Sequence, residues 1–342
     1  MKNDSQLVDS LKEHSSLGIK EQIDYSKFYL YSLITHSTAI EGSTMTELEN
    51  QLLFDEGIAA PNRPMAEQLM NMDLKAAYEE SFRLAQSHTD FDVAMLQRLS
   101  ALVMKNTGSV YHTALGDFDS GKGDLRLLNV TAGVGGSSYL SYQKVPNRLT
   151  EFCSWLNEQR RQLRAGDIDE IYRLSFEAHY HLVSIHPWVD GNGRMARLVM
   201  NQIQMEFGVL PSKVLKEHKF RYIKSLQDSR EKDDLNIFCQ FMLDEHIANV
   251  KAEIENHKKS LDDDVVIKSQ TSVPDVAITE CEAQILEILQ NNGSVSAAKL
   301  AEQLSMSPRQ VQRMLASLKQ KGVIRHEGSN KKGRWVKNPS QT

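Results

Sequence analysis

The spacing of apolar residues constrains the fold of this chain more than any other feature. From about residue 25 to 250, apolar residues recur every three or four positions, which places them on one face of an α-helix. The segments with this spacing are 65–87, 92–105, 147–163, 168–184, 193–207 and 233–254. The sequence therefore predicts a mainly α body.

One stretch inside this body interrupts the helical spacing. Residues 125–131 and 138–142 read as two short extended runs, and a Gly-rich segment at 132–136 lies between them. Extended runs around a Gly-rich turn are typical of a β-hairpin. We therefore expect a hairpin at 125–142.

The chain changes character after residue 254. Residues 255–276 lose helical periodicity and gather charge, Ser and one Pro, which is typical of a linker. A separate C-terminal domain is expected at 277–338.

This C-terminal domain reads as three short helices and a small hairpin. The helices are predicted to begin near Thr279, Ser296 and Ser307, and the strands to include 323–325 and 334–336. The arrangement resembles a winged helix-turn-helix, whose third helix usually enters a DNA groove.

The same domain is strongly basic. Residues 305–342 hold nine Lys or Arg and one acid, Glu327. The third helix and the hairpin would display Arg309, Gln310, Gln312, Arg313, Lys331, Lys332 and Arg334. These side chains suit contact with DNA phosphates, but many winged helices serve only as protein contacts, and both alternatives stay open.

Composition limits the class of protein without naming a partner. The 342 residues are 40% apolar with a formal charge of −5, which fits two or three domains. Cys153, Cys239 and Cys281 lie far apart, so they predict neither a disulfide framework nor a zinc site. The N-terminus lacks a secretory signal, and no apolar run of about 18 residues occurs. We expect a cytoplasmic protein without a membrane span.

Residues 186–197 read His-Pro-Trp-Val-Asp-Gly-Asn-Gly-Arg-Met-Ala-Arg and join two predicted helices. Gly191 and Gly193 permit a tight turn at the start of the second helix, where free N–H groups and the helix dipole favour an anion. Arg194 and Arg197 lie on one face of that helix and can bind further phosphate oxygens. The segment therefore predicts a phosphate site.

Two side chains beside this site suggest chemistry. Asp190 would repel a phosphate unless Mg²⁺ bridged the two, and His186 is the titratable base. A base, a metal carboxylate, an anion site and two arginines are what phosphoryl or nucleotidyl transfer needs.

The segment closely resembles the signature of the Fic family, HPFx(D/E)GNGRxxR, with Trp188 in place of Phe. The resemblance implies a Fic-type helical domain at 96–254 that transfers AMP from ATP, with Mg²⁺, to a hydroxyl of a target protein. The chain itself would be a target in vitro. The hairpin would be the flap that aligns the target segment by strand pairing.

The resemblance also implies a role for each residue of the segment. His186 would deprotonate the hydroxyl and Asp190 would bind Mg²⁺. The phosphate contacts would come from Gly191, Asn192 and Gly193 as the anion hole, Arg194 for the inner phosphates and Arg197 for the γ-phosphate.

Three further residues are candidates for the nucleotide site. Asn201 and Tyr222 resemble positions that line the nucleotide in Fic proteins, although the usual Tyr-Tyr pair is Tyr222–Ile223 here. His181 is either a wall of the pocket or a core histidine. Because His179 and His181 are two apart on a helix and point in different directions, we do not expect a zinc site.

An upstream motif suggests regulation. Residues 37–42, Ser-Thr-Ala-Ile-Glu-Gly, end a helix predicted to begin near Tyr25. Glu41 faces the negative end of the helix dipole and should seek a cation. The pattern resembles the Fic inhibitory motif, (S/T)xxxE(G/N), which implies that Glu41 pairs with Arg197 and that Ser37 orients it. The motif would lie in an N-terminal helical region at 1–95.

The preferred function is an autoinhibited protein adenylyltransferase. Two alternatives stay open: removal of AMP from proteins, with Glu41 orienting a water, and a DNA-binding regulator whose Fic body senses nucleotide. The sequence leaves a homodimer open.

Overall fold

The computed structural model describes residues 4–132, 138–270 and 280–291, and, of the remainder, 295, 297–304, 311, 314–315, 317–319, 323–327 and 334–337. The chain divides into two compact units, Met1–Lys259 and Ser260–Thr342.

The first unit is built almost entirely from helices. In chain order these are α1 (Asp4–Ser16), α2 (Tyr25–Ile40), α3 (Glu47–Glu56), α4 (Met65–Gln86), α5 (Val93–Val103), α6 (Val145–Gln162), α7 (Ile168–Ile185), α8 (Asn192–Glu206) and α9 (Lys219–Lys232). Helix α10 (Leu235–Gln270) follows, and the division between the two units falls within it, after Lys259. All six segments with helical spacing are confirmed as helices, and so is the helix beginning at Tyr25. Among the described helices, none has the length and apolar character needed to cross a membrane.

Helix α8 lies at the centre of this unit. One face packs Met195, Leu198 and Val199 into a cluster with residues of α4, α5 and α7. Its opposite face places Met200 in a second cluster, with residues of α7, α9 and α10. Because both faces are covered, α8 is held from all sides, and its N-terminal turn is a rigid base for a site.

The predicted hairpin at 125–142 is described only at its flanks. Thr131 and Ser138 form an antiparallel bridge, and Tyr139 N donates to Val130 O over 3.0 Å. The predicted turn includes 133–137, which lie outside the described residues. A different hairpin, β1 (Val110–Thr113) with β2 (Gly116–Asp119), was not predicted from the sequence.

The predicted loss of helical structure is wrong over 255–270, where the chain continues as α10, although the division between the two units does fall inside the predicted linker, after Lys259. Charged residues that read as a linker instead find partners on the N-terminal segment. Lys258 Nζ lies 2.6 Å from Glu13 Oε1, and Gln22 Nε2 lies 2.7 Å from His257 Nδ1. A polar helix can persist when such pairs supplement its own hydrogen bonds. Residues 271–276 lie outside the described residues.

The second unit contains α11 (Glu280–Asn291), α12 (Ala297–Gln303) and the antiparallel strands β3 (Ile324–Glu327) and β4 (Arg334–Lys337). Its core includes Ile285, Leu300, Val311, Leu315 and Leu318. The first two predicted helices and the predicted strand pair are confirmed. Six of the seven predicted DNA-facing residues lie outside the described residues: Arg309, Gln310, Gln312, Arg313, Lys331 and Lys332. Arg334 lies in β4.

Candidate active site

The loop between α7 and α8 turns through two residues with left-handed backbone. His186 has φ 52° and ψ 62°, and Gly191, directly before Asn192 and α8, has φ 79°. A Cβ at position 191 would lie 2.9 Å from Met104 Sδ. Both the backbone conformation and the crowding therefore favour glycine at this position.

His186 is fixed in the orientation of a neutral base. Arg126 Nε donates to its carbonyl oxygen over 2.7 Å, and its ring Nδ1 lies 3.3 Å from Val183 O. Since a carbonyl only accepts, Nδ1 carries the proton and Nε2 keeps a lone pair. Burial lowers the pKa of His186 to about 4, so the ring is neutral at physiological pH.

A residue of the flap covers this base. The Tyr139 ring stacks on the His186 ring with centroids 3.8 Å apart and planes at 18°. The Arg230 guanidinium lies over the Tyr139 ring, 4.8 Å from its centroid. Sequence reasoning missed both residues, because neither belongs to the signature and only the fold brings them to His186.

The Asn192 side chain braces the loop itself. Its Nδ2 donates to Trp188 O over 2.8 Å, and its Oδ1 accepts from Trp188 N over 3.1 Å. The Trp188 indole is fully buried and donates to Gly123 O over 3.1 Å, so the bulk beyond Phe is accommodated with a hydrogen bond. For the predicted anion hole, Asn192 would contribute the free backbone N–H of the first turn of α8.

Arg194 is a buried cation with poor protein partners. Its Nη1 donates to Val103 O at 3.4 Å, and its Nη2 lies 3.1 Å from Met104 Sδ. Its Nε has no hydrogen-bond partner among the described residues. Burial lowers the pKa of Arg194, so an anion that reached it would relieve an unfavourable desolvation.

Asp190 lies at the exposed rim of the same loop. Its side chain is 62% exposed, and Oδ2 is 3.6 Å from Arg194 Nη2. Within the described parts of the chain, no group of three His, Cys, Asp or Glu residues could hold a metal ion. A Mg²⁺ at Asp190 would therefore share its coordination with phosphate oxygens and water, which suits an ion usually bound through one or two carboxylates.

Arg197 is bound to the end of α2: it pairs with Glu41, as the resemblance implied, and Ser37, which was expected to orient the Glu41 carboxylate, instead binds Arg197. Its Nη2 lies 2.6 Å from Glu41 Oε1 and donates to Ser37 O over 2.9 Å, and its Nε donates to Ser37 Oγ over 2.8 Å. Burial favours a higher pKa for Glu41, but the charge and hydrogen bond of Arg197 outweigh it and hold that pKa below its usual value. Glu41 is therefore a carboxylate at physiological pH.

The Glu41 carboxylate lies over the first turn of α8. A Cβ built on Gly193 would be 2.6 Å from Glu41 Oε1 and 3.2 Å from Arg197 Nη1. This is the region where free N–H groups and the helix dipole favour an anion. Glu41 thus lies close to where an incoming phosphate would bind.

Tyr222 supports Arg197 from the other side. Its hydroxyl accepts from Arg197 Nη1 over 3.3 Å and lies 2.8 Å from His179 Nε2. Burial lowers the pKa of His179 well below its usual value, so the ring is neutral, and because Tyr222 Oη accepts from Arg197 its own proton is available for His179 Nε2. Sequence reasoning considered His179 only as a metal ligand. Its place two turns before His186 on one face of α7 was the available signal.

Two predicted nucleotide residues lie apart from these contacts. Asn201 is buried, and its amide is fully engaged: Oδ1 accepts from Tyr78 Oη over 2.6 Å, and Nδ2 donates to Ser212 O and Gln204 Oε1. His181 contacts Trp155, with ring centroids 4.9 Å apart, and lines a separate cavity of about 440 Å³. The contacts of Asn201 and His181 are thus with side chains and backbone of the helical core, apart from the loop 186–197.

Comparison with known proteins agrees with this arrangement. Residues 90–204 match the Fic/DOC family, and residues 282–325 match a family described as winged helix-turn-helix DNA-binding. The chain is 26% identical over 264 residues to protein adenylyltransferase fic-1 of Caenorhabditis elegans, covering 75% of this chain and 48% of that protein. It is 29% identical over 212 residues to protein adenylyltransferase Fic of Culex quinquefasciatus, covering 62% and 39%. The chain thus spans about half or less of these relatives.

Solved structures share the fold. A Fic domain containing signaling protein from Bacteroides thetaiotaomicron has a TM-score of 0.60 at 19% identity, over 74% of this chain and 97% of that one. A Fic family protein from Desulfovibrio desulfuricans has a TM-score of 0.54 at 19% identity, over 98% and 97%. These structures show a shared fold; the Fic/DOC match at residues 90–204 includes the whole loop 186–197, and the winged helix-turn-helix match covers 282–325.

Proposed function

We propose that this protein is an adenylyltransferase that moves AMP from ATP to a hydroxyl of a target protein. The observation that carries the proposal is the neutral His186, with a lone pair on Nε2, next to the N-terminal turn of α8. The curated relatives are named protein adenylyltransferases. Their chemistry needs a base beside a phosphate site.

In the proposed reaction, the target hydroxyl oxygen bonds to the α-phosphorus of ATP. The bond to the bridging oxygen between the α- and β-phosphorus breaks, and pyrophosphate leaves. The hydroxyl proton passes to His186 Nε2. Arg194 and the N–H groups of the first turn of α8 stabilise the phosphate charge. Asp190 would hold a Mg²⁺, which when bound neutralises charge on the phosphates.

The target would be aligned by the flap at 125–142. An extended target segment that pairs with the flap backbone would place its hydroxyl next to His186, because Tyr139 of the flap stacks on that ring. Recognition through backbone groups tolerates varied sequences, so the chain itself would be modified in vitro.

Glu41 would hold the enzyme in a low-activity state. Arg197 is the proposed ligand of the γ-phosphate, but its Nη2 already pairs with Glu41 Oε1 over 2.6 Å. ATP could still bind through Arg194, but the triphosphate would lack its last anchor, and its α-phosphate would be misaligned.

Labelled ATP tests the reaction. Full-length protein is incubated with Mg²⁺ and ATP that carries the label on either the α- or the γ-phosphate, and label on protein is measured after separation under denaturing conditions. We expect the α-label, and not the γ-label, to become covalently attached, with release of pyrophosphate. Attachment of the γ-label would indicate a kinase and would overturn the proposal.

Removal of AMP is the second candidate, because Glu41 is a carboxylate with a side chain 31% exposed and could orient a water. It predicts that wild type releases AMP from pre-modified protein and that Glu41→Gly does not. Release that is unchanged by Glu41→Gly would exclude this role for the residue.

For the winged helix-turn-helix segment we propose contact with DNA. The support is the family match over 282–325 and the basic composition of 305–342. If the proposal holds, the full-length protein binds duplex DNA with an affinity that falls steeply between about 50 and 200 mM salt. A protein-contact role predicts no binding even at low salt.

A further inference from the structure

The turn that presents Glu41 is bracketed by one buried side chain of α4. Thr38 Oγ1, in the last turn of α2, lies 2.8 Å from Asn71 Oδ1. Ser43 Oγ, two residues after Glu41, accepts from Asn71 Nδ2 over 3.2 Å. Asn71 therefore contacts the chain on both sides of Glu41.

A second buried amide supports this bracket. Asn50 Nδ2, from α3, donates to Asn71 Oδ1 over 3.0 Å and to Thr35 Oγ1 over 2.7 Å. Asn71 Nδ2 also donates to Glu67 O over 2.8 Å, which fixes the amide relative to its own helix. The last two turns of α2 are thus tied to both α3 and α4.

The burial of these groups disfavours other positions of the end of α2. Asn50, Asn71 and Thr38 are fully buried. If the end of α2 moved away from α8, their amide and hydroxyl groups would lose partners in a region that water does not reach, which is costly. The network therefore favours the position of α2 in which Glu41 meets Arg197.

Stability of the fold alone does not explain why positions 50 and 71 carry polar side chains. Asn50 Oδ1 has no partner among the described residues. A well-packed apolar pair at positions 50 and 71 would hold α2 against its neighbours without that unsatisfied atom. A polar network fixes one orientation of the helix end, whereas apolar packing tolerates several.

We infer that Asn71, supported by Asn50, is a positioning residue that holds Glu41 on Arg197 and so sets the level of autoinhibition. The inference rests on the proposed inhibition by Glu41. It assigns to α4, outside both motifs, control over how often the γ-phosphate anchor becomes free.

The test is a comparison of backgrounds. Asn71→Leu keeps the volume but removes the bracket, and initial AMP transfer is measured for this change in wild type and in Glu41→Gly, at equal concentrations of folded protein. In wild type we expect transfer to rise about threefold to tenfold, the weight of one or two buried hydrogen bonds. In Glu41→Gly the same change should alter transfer less than about twofold, because the group that it releases is absent.

Gln68→Leu is the matched control. Gln68 is a buried amide on the same helix, but its hydrogen bonds go to Ala60 and Arg63 rather than to α2. It should leave transfer unchanged in both backgrounds while lowering thermal stability. A rise with Gln68→Leu equal to that with Asn71→Leu would show a general loosening and would overturn the inference.

Thr38→Val supplies a milder variant if Asn71→Leu folds poorly, since it removes only the hydroxyl that contacts Asn71. It should raise transfer in wild type by a smaller factor in the same direction. If Glu41→Gly raises transfer and neither Asn71→Leu nor Thr38→Val does, the positioning role is wrong while the inhibition stands. If Glu41→Gly itself gives no rise, the inhibition fails and the inference fails with it.

Discussion

The loop at 186–197 and the end of α2 meet at Arg197, but they are held in different ways. The loop is braced from within, where Asn192 bonds to Trp188 and Asp190 Oδ1 accepts from Gly191 N over 2.6 Å. It is also braced by the neighbouring 123–126 segment, where Gly123 O accepts from Trp188 and Arg126 donates to His186 O. Glu41 reaches the site from 156 residues away. The buried hydrogen bonds that hold the end of α2 come from α3 and α4.

This difference separates chemistry from its regulation. A change to a loop residue with a proposed role in the reaction, such as His186 or Arg194, should lower AMP transfer. A change around α2 should alter only the fraction of molecules in which Arg197 is free. Variants of the two regions should therefore move activity in opposite directions.

The largest effect is expected from the base. His186→Ala, made in the Glu41→Gly background so that inhibition does not mask it, should lower AMP transfer by about 10²–10⁴-fold. ATP binding, followed by calorimetry, should persist, because Arg194 and the α8 N-terminus remain. His181→Ala is the control, since His181 lies in α7, outside the loop, and its ring contacts Trp155. An equal loss from His181→Ala would mean that the base has been misassigned.

An increase in AMP transfer is expected from a change at the end of α2. Glu41→Gly removes the carboxylate that occupies Arg197, and a shift of about 1.4 kcal/mol toward the free arginine corresponds to a tenfold rise in that population. Initial transfer should therefore rise at least about tenfold. Glu41→Gln keeps a hydrogen-bonding group without the charge and should give an intermediate rate.

Arg197→Ala in the Glu41→Gly background checks the reason for that increase. It should cancel most of the gain, because the γ-phosphate then has no anchor. If the gain survives, Glu41 acts on something other than Arg197.

The two regions also differ in how far the sequence predicted them. The roles proposed for the loop came from a contiguous run of residue types and from the family resemblance that this run carries. The pairing of Glu41 with Arg197 also came from a resemblance, and the geometry matches it. The supporting residues Tyr139, Arg230 and His179 were not found, because they are distant in sequence and meet the site only through packing. Asn71 was missed for the same reason.

The fold shows a similar limit. Regular apolar spacing predicted the long helices, since burial of one face determines them. It did not predict the hairpin at 110–119, whose strands are four residues each and largely exposed. It also did not predict that α10 continues over 255–270, because local charge density cannot show that Glu13 lies nearby to pair with Lys258.

The smallest effect is expected from the flap residue that covers the base. Burial disfavours the protonated ring, and the pKa of His186 is about 4, so the neutral base should be lost only as pH falls toward that value. The rate of AMP transfer by Glu41→Gly should then not change through protonation of His186 between about pH 8 and about pH 5.5.

Tyr139→Ala admits water to the His186 ring and should raise the pKa of His186 toward about 6.5, the usual value for histidine. Activity would then be up to about fourfold lower at pH 6 than at pH 8, because most of the base would be protonated. Tyr139→Phe keeps the stacked ring and should retain the flat profile. If Tyr139→Ala also stays flat, burial of His186 does not depend on the flap, and the surroundings of the base are set by the loop region alone.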